Sequence, residues 1–399
     1  MNLRIPNSQN PSLLSILSAM GFRPLFLLAG LWSLLGMVLW LSILGGSLDG
    51  ELFIEPAWWH GHEMLFGFVG AAAAGFMLTA APIWSKSPPL TGRPLLNVVI
   101  AWIAGRMAIW AAPFIPATIV AGLDLAFWLL FLWFSAPTLW NTGNRIHRIF
   151  PSLLVLVVIG NVMMHLEAMG LTDDTARRGL YLGVDAIIFF LIVVGGHIMP
   201  MFTRETLNKE GDGLEFPLSP ILEIAGVVTM FAVVVGNLVD YQHYITGALF
   251  IMAAVVQAIR FSRWHVLKTF ADPMLWSLHG GFSWLILGLL LSGVARLTDL
   301  LEISTALHAM TVGAMGFFTL GIMSRISLIH TGHPVKADWR LTIALWIIPV
   351  AAIVRLFPDL PVPGGAIFIS GCLWIVAFAL FLLVFSSKLI QPRIDGEPG

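Results

Sequence analysis

Two histidines and a glutamate stand at the start of a long apolar run. His60, His62 and Glu63 lie within residues 58–64, WWHGHEM, directly before the apolar run at 65–84. An ionisable side chain costs about 3 kcal/mol in the middle of a bilayer segment, so a residue at such a position indicates a functional site. Copper and haem iron both accept neutral imidazole as a ligand. The stretch therefore predicts a metal or haem site.

Further polar residues fall at the same predicted membrane depth. His165 lies near the end of the fifth apolar run and His308 near the start of the tenth, each within one or two helical turns of the same membrane face. The charged residues in this half of their runs are Glu63, Arg106, Asp124, Glu167 and Asp185. Together they predict a polar centre in the outer leaflet, in which the carboxylates accept hydrogen bonds from the imidazoles. Arg106 with Asp124 fits a buried structural pair as well as a propionate or substrate contact.

Helix geometry limits which histidines share one ligand sphere. Residues two apart on an ideal helix point to nearly opposite sides, so His60 and His62 share a metal only if His60 precedes the first helical turn. Gly61 makes such an irregular start plausible. We predict that His60, His62 and His308 bind metal, with His165 close by. The alternative for each single histidine is a hydrogen-bonded packing residue.

A smaller group of histidines lies towards the cytoplasmic face. His279 opens the ninth apolar run and His330 follows the tenth, so they lie at the same ends of two antiparallel spans. We predict that their side chains meet in a second site. His197 and His333 lie on the same side. The other histidines are predicted loop residues, namely His147, His243 and His265.

The elements that must position these residues are membrane spans. The 399-residue chain is 58% hydrophobic and 11% charged, with a mean hydropathy of +0.89, whereas a soluble domain is about 25% charged. The apolar runs cover residues 25–44, 60–84, 95–112, 115–139, 152–169, 180–199, 221–239, 245–259, 276–294, 303–329, 341–356 and 366–385. We therefore predict an all-α polytopic helical bundle of about twelve transmembrane helices in the lipid bilayer. We predict that residues 1–399 form a single transmembrane domain.

Loop charge predicts the orientation, because basic loops stay in the cytoplasm. The loops after even-numbered runs carry Lys86, Arg93, Arg145, Arg148, Arg204, Lys209, Arg260, Arg263, Lys268, Lys336 and Arg340. Acidic residues mark the other loops, namely Asp49, Glu51, Glu55, Asp173, Asp174, Asp240, Asp299 and Glu302. Both termini are therefore predicted to be cytoplasmic. The basic residues are spread among loops and the net charge is −1, which indicates no nucleic-acid partner.

The single cysteine excludes two kinds of covalent chemistry. Cys372 lies in an apolar run, so the sequence has no internal disulfide and no CxxCH motif for covalent haem attachment. Any cofactor is then expected to be held by ligands other than thiolate.

Three segments resemble the hallmark sequences of the NnrS family. They are WHGHEMLFGFVGAAAAGFMLTAAPIW at 59–84, HIMPMFTRE at 197–205 and LHAMTVGAMGFFTLGIMSRISLIHTGHP at 307–334. The resemblance extends over essentially the whole chain. It implies a multi-pass protein of the bacterial inner membrane that binds b-type haem and copper, is linked to denitrification, and protects against nitric oxide. By position, the family's histidines correspond to His60, His62, His165, His279, His308 and His330, and His197 stands where the family pattern predicts arginine.

Two functional classes remain open. The first is a haem- and copper-binding protein with nitric oxide as its ligand, which acts as a redox enzyme or relieves nitrosative stress. The second is a transporter for copper or a small solute, which intramembrane Arg106, Asp124 and Asp185 would suit. The sequence halves show no convincing repeat, which weighs against the transporter.

Overall fold

The computed structural model describes residues 11–48, 52–143, 145–208, 219–361 and 365–397. Across these ranges the chain forms helices and no strand. The all-α membrane bundle predicted from the sequence is thus confirmed. Asp49, Glu51 and Lys209, which contributed to the charge pattern, lie outside the described residues.

Twelve long helices follow a short helix, Leu13–Leu17, in the part of the chain that the structure describes. They are α1 Phe22–Leu44, α2 Pro56–Ser85, α3 Gly92–Trp110, α4 Ala117–Trp140, α5 Ile149–Ala168, α6 Thr175–Asn208, α7 Pro220–Asp240, α8 Tyr244–Ser262, α9 Pro273–Leu297, α10 Ile303–His330, α11 Trp339–Arg355 and α12 Ala366–Ile390.

Ten of these helices are long and apolar enough to cross a membrane, and α3 and α11 are the other two. The 17 residues of α11 extend roughly 26 Å at 1.5 Å per residue, less than the bilayer core of about 30 Å. Helix α3 is long enough, but polar Asn97 and Arg106 interrupt its apolar sequence. Both helices coincide with apolar runs that were predicted to span the membrane, but neither is among the ten. The count of twelve spans and the orientation therefore stay predictions.

Helices α2, α6 and α10 form the centre of the bundle. Their most apolar stretches are 94%, 89% and 89% buried, compared with 28–50% for the other seven candidate spans. Three outer helices separate each central helix from the next along the chain, and α12 packs against α1. Helices that are apolar all round are expected to be buried in this way. The centre therefore holds the helices that carry His60, His62, Asp185 and His308.

Glycines allow the helices around the centre to pack closely. A Cβ on Gly75 of α2 would lie 2.7 Å from the ring of Phe26 on α1. On α5 and α6, the backbones of Gly160 and Gly179 contact each other, and a Cβ on either residue would clash with the other's carbonyl oxygen. Small residues at such crossings let membrane helices approach closely. This crossing fixes α5 against the centre.

Two central helices change from α to π geometry directly after a histidine. The π segment of α2 covers Glu63–Val69 and follows His62, and that of α10 covers Ala309–Gly316 and follows His308. A π segment shifts the side chains around the helix axis and is frequent at functional sites. The two segments therefore draw attention to the surroundings of these histidines.

Candidate cofactor sites

His60 and His62 face different sides of α2. The helix begins at Pro56, and the Glu55 side chain accepts a hydrogen bond from its first turn. His60 thus already lies within a regular helix, so its side chain points away from that of His62. The irregular start that would let both residues share one metal does not occur.

His62 belongs to a buried network on one side of α2. We use this name for six side chains, each at most 4% exposed, from α2, α3, α4 and α5: His62, Glu63, Arg106, Asp124, Asn161 and His165. Besides His62, the network contains four residues that the sequence analysis assigned to this depth. They are Glu63, Arg106, Asp124 and His165.

Asp124 lies at the middle of this network. Its Oδ2 atom is 3.0 Å from His165 Nε2 and 3.2 Å from His62 Nε2. The same oxygen accepts a hydrogen bond from Asn161 Nδ2 at 2.7 Å. The other oxygen, Oδ1, accepts a short charge-assisted hydrogen bond from Arg106. One carboxylate thus connects two histidines with the only arginine of the network.

Glu63 joins the network from the other side of His62. Its Oε1 atom lies 3.0 Å from His62 Nδ1 and accepts a hydrogen bond from Arg106 Nη1 at 2.6 Å. The network thus contains two carboxylates and one guanidinium. Buried charges need compensation, and a protonated imidazole, a protonated carboxyl group or a bound cation would each make the network neutral.

The donor atoms of the network suit a metal ion. One atom each from His62, Asp124 and His165 lies within 4.8 Å of the other two. Metal–ligand bonds of about 2.0–2.1 Å separate neighbouring ligand atoms by roughly 2.9–3.4 Å, a range that includes the two distances measured at Asp124. Glu63 contacts His62 and Arg106 contacts Asp124, and these contacts orient the two ligands as outer-shell partners do in metal sites. Two imidazoles and a carboxylate suit iron, copper or zinc.

His60 and His308 line a cavity on the other side of α2. The cavity has a volume of about 320 Å³ and lies among α1, α2, α6, α10, α11 and α12. The ring of His60 stacks on Trp40, with centroids 4.4 Å apart and planes at 13°, and its buried Nδ1 atom has no hydrogen-bond partner. His308 Nδ1 donates to the Ser304 carbonyl at 2.7 Å, which leaves Nε2 as the unprotonated nitrogen.

The rest of the cavity wall is mostly apolar with a single cation. Met64, Met315 and Arg355 line it together with aromatic and aliphatic side chains. Among the described residues, Arg355 makes no ion pair. Sites for small molecules and cofactors have volumes of roughly 300–1,000 Å³ and few polar groups. Imidazole and thioether donors suit haem iron or copper, and a free guanidinium suits an anionic group such as a propionate.

The other two predicted carboxylates lie outside both sites. Asp185 accepts a hydrogen bond from Asn237 Nδ2 at 2.6 Å, and Asn237 accepts one from Arg296 at 3.0 Å. Glu167 accepts a hydrogen bond from the backbone N–H of Ala176 at 2.8 Å. Glu167 thus caps the start of α6, a favourable place for a negative charge.

His279 and His330 do not meet. His279 Nδ1 donates to the Leu275 carbonyl at 3.0 Å, whereas the His330 ring packs beside Phe22. Gly281 of α9 faces Phe318 of α10, so His279 lies roughly ten residues, or about 15 Å, from His330. His279 lies inside α9, after its first turn, whereas His330 is the last residue of α10. The two side chains therefore lie at different depths. The predicted pairing of these two side chains is therefore wrong.

Asn161 and Arg355 belong to these sites and were not identified from the sequence. Asn161 lies four positions before His165 within an apolar run, and this spacing on one helix face was a usable signal. Arg355 ends a short apolar run, and its sequence context resembles that of any loop-flanking arginine. Only the fold places it at the cavity.

Comparison with known proteins identifies the family of the chain. The sequence model of the family described as "NnrS: NnrS protein" matches residues 16–393. A search of the curated proteins found no match. The matched range includes every residue of the buried network and every residue that lines the cavity. The chain therefore belongs to the NnrS family.

Proposed function

We propose that this protein binds haem and copper in the membrane and acts in nitric oxide metabolism or protection against nitrosative stress. The observation that carries the proposal is the pair His60 and His308, which come from two central helices and line one cavity. Membership of the NnrS family supports the role in nitric oxide chemistry. The bacterial inner membrane is the proposed location.

The cavity would hold the haem. His60 and His308 would supply imidazole ligands, and Arg355 would pair with a propionate. Bound haem supplies an iron that binds nitric oxide and exchanges electrons. The Ser304 carbonyl keeps the proton of His308 on Nδ1, and stacking on Trp40 fixes the ring plane of His60. The apolar wall excludes water from the same space.

The buried network would hold the copper ion. His62, Asp124 and His165 would be the ligands, because their donor atoms already lie at ligand–ligand distances. A cation there would also neutralise the excess negative charge of the network. Glu63 would hold the proton of His62 on Nδ1, and Arg106 would hold the orientation of the Asp124 carboxylate.

Nitric oxide would reach the cavity from the lipid. Leu44 of α1 and Ile367 of α12 line the cavity and are 48% and 38% exposed. We infer that the cavity opens to the bundle surface beside these two residues. An apolar gas dissolves in the hydrocarbon core of the bilayer, so a lateral path suits it.

The test is the visible spectrum and metal content of the full chain, purified in detergent from cells supplied with iron and copper. We expect a Soret band and bound copper in the same preparation, and we expect the gene to protect cells against nitric oxide. A colourless and metal-free preparation would contradict the proposal and favour the transporter. A Soret band without copper would limit the proposal to the haem cavity.

A further inference from the structure

A second cavity lies deeper in the bundle, between the three central helices. It has a volume of about 30 Å³, and each residue that lines it comes from α2, α6 or α10. We call this space the inner cavity. Its lining residues are at most 8% exposed, so the surrounding bundle shields them. They are Val69, Ala72, Ala73, Phe76, Ile187, Phe190, Leu191, Val194, Phe318, Thr319 and Ile322.

Two alanines of α2 leave the inner cavity open. Ala72 and Ala73 line it from α2, whereas α6 and α10 contribute mainly phenylalanine, isoleucine and leucine. The side chain of alanine ends at Cβ and does not fill the space between the larger side chains. Protein interiors contain few voids larger than a water molecule. A void in the most buried part of the bundle therefore points to an occupant.

The inner cavity begins about one helical turn beyond the larger cavity that His60 and His308 line. Val69, the last residue of the π segment of α2, lines both spaces. On α6 the lining changes from Val184 to Ile187, and α10 shows the same offset of three residues. Three residues of a helix extend about 4.5 Å. A molecule in the inner cavity therefore lies next to the larger cavity.

The lining of the inner cavity suits an apolar ligand. Thr319 is the one polar residue among the described residues that line the space. A buried water molecule needs two to four hydrogen-bonding partners, whereas an apolar cavity stays dry and binds apolar molecules such as xenon. An ion would be buried there without a charged partner, which is costly. The ligand is therefore expected to be uncharged and apolar.

The size of the inner cavity limits the ligand to a few atoms. By the same measure of volume, one water molecule needs about 10–15 Å³, so about 30 Å³ holds two or three atoms of that size. A haem, a quinone or a lipid chain exceeds this space. The chemical class that fits both the polarity and the size is a small apolar gas.

We propose that the inner cavity binds one molecule of a small apolar gas. Its identification as nitric oxide rests on the function proposed above, whereas the binding of apolar gas does not. Nitric oxide held there lies about one helical turn from the larger cavity and moves into it past Val69 without leaving the protein. No bond forms or breaks in this step.

Xenon tests the site, because it is an apolar gas and its anomalous X-ray scattering locates it. Crystals of the purified full chain are pressurised with xenon. We expect a xenon atom among α2, α6 and α10, beside Ala73, and its loss in Ala73→Leu, which fills the space. Ala248→Leu makes the same change at an exposed position of α8 and is the matched control, with xenon retained.

A smaller substitution keeps this test decisive if Ala73→Leu does not fold. Ala72→Val adds less volume and should lower the xenon occupancy, and size-exclusion chromatography checks the folding of each variant. Three results would overturn the site. They are a wild type without xenon among the central helices, xenon in the larger cavity alone, and unchanged occupancy in both the Ala72→Val and Ala73→Leu proteins.

Rebinding of nitric oxide to the haem after a light flash tests the occupant. We expect a fast rebinding phase that xenon suppresses in the wild type, and that Ala73→Leu loses but Ala248→Leu keeps. Identical kinetics with and without xenon would overturn nitric oxide as the occupant. A haem-free chain would contradict the proposed function and nitric oxide with it, whereas the xenon crystals would still decide the gas site.

Discussion

His60 and His62 lie two positions apart on α2 and face different surroundings. His60 stacks on Trp40 at the cavity, whereas His62 lies between Glu63 and Asn161 in the buried network, at 3.0 and 2.9 Å. Because α2 is helical from Pro56, its geometry separates the two rings. One helix thus contributes a histidine to each candidate cofactor site, and substitutions should separate the two cofactors.

Removal of a cavity histidine should remove haem and spare copper. We expect His60→Ala and His308→Ala to lose most of the Soret absorbance per chain, because each loses one of two imidazoles at the cavity. Absorption spectra and copper analysis of the same purified samples measure both quantities. His265→Ala, in a loop at the other end of the bundle, is the control. Full Soret absorbance in both cavity variants would show that these histidines are structural.

Arg355 should affect haem retention through charge. We expect Arg355→Met to weaken haem binding by about tenfold to about a hundredfold, since a charge-assisted hydrogen bond contributes about 1.5–3 kcal/mol and each 1.4 kcal/mol is about tenfold in affinity. Arg355→Lys keeps the positive charge and should bind haem more tightly than the methionine variant. Transfer of haem to an apoprotein acceptor measures the affinity. Equal affinities of the methionine variant and the wild type would exclude a contact between Arg355 and the haem.

The buried network should respond as one unit. Asp124→Asn removes the carboxylate that connects His62, His165 and Arg106. Breaking a buried ion pair destabilises a protein by about 3–5 kcal/mol because the remaining charge is uncompensated. We expect a lower unfolding temperature and loss of the network copper, with the haem retained in the folded fraction. Wild-type copper content in Asp124→Asn would contradict the ligand set.

Contact between α5 and α6 should be required to place His165. Gly179→Ala adds a methyl group that clashes with the Gly160 carbonyl, and overpacking typically costs about 1–3 kcal/mol. We expect reduced thermal stability and reduced copper content, measured on the same preparation. Gly122→Ala on α4 is the matched control, because a Cβ there meets no atom within 4 Å. Equal stability of the two variants would contradict this packing argument.

The predicted orientation can be measured by labelling. Cys372 is exposed, so the background carries Cys372→Ser. We expect a membrane-impermeant maleimide added to spheroplasts to label Asp173→Cys and to leave Lys336→Cys unlabelled until the cells are lysed. Both positions are exposed on the structure. The reverse labelling pattern would invert the orientation and place the His60 end of the bundle in the cytoplasm.

The sequence by itself determined the class of the protein and the depth of its polar residues. Hydropathy requires membrane helices, since spanning segments must satisfy their own backbone groups. The positions of His60, His62, His165 and His308 along their apolar runs then fixed them near one membrane face. The helical period predicts opposite directions for His60 and His62 in a regular helix, and the structure shows that the helix is regular from Pro56 to His62.

Only the tertiary structure decided which residues share a site. Asp124, Asn161 and His165 join His62 because α4 and α5 turn particular faces towards α2, and Arg355 reaches the cavity because α11 packs beside α10. The separation of His279 from His330 likewise depends on the register between helices. The period of a helix specifies which side chains share one face of that helix. Close packing of side chains from distant parts of the chain specifies which face of another helix lies opposite.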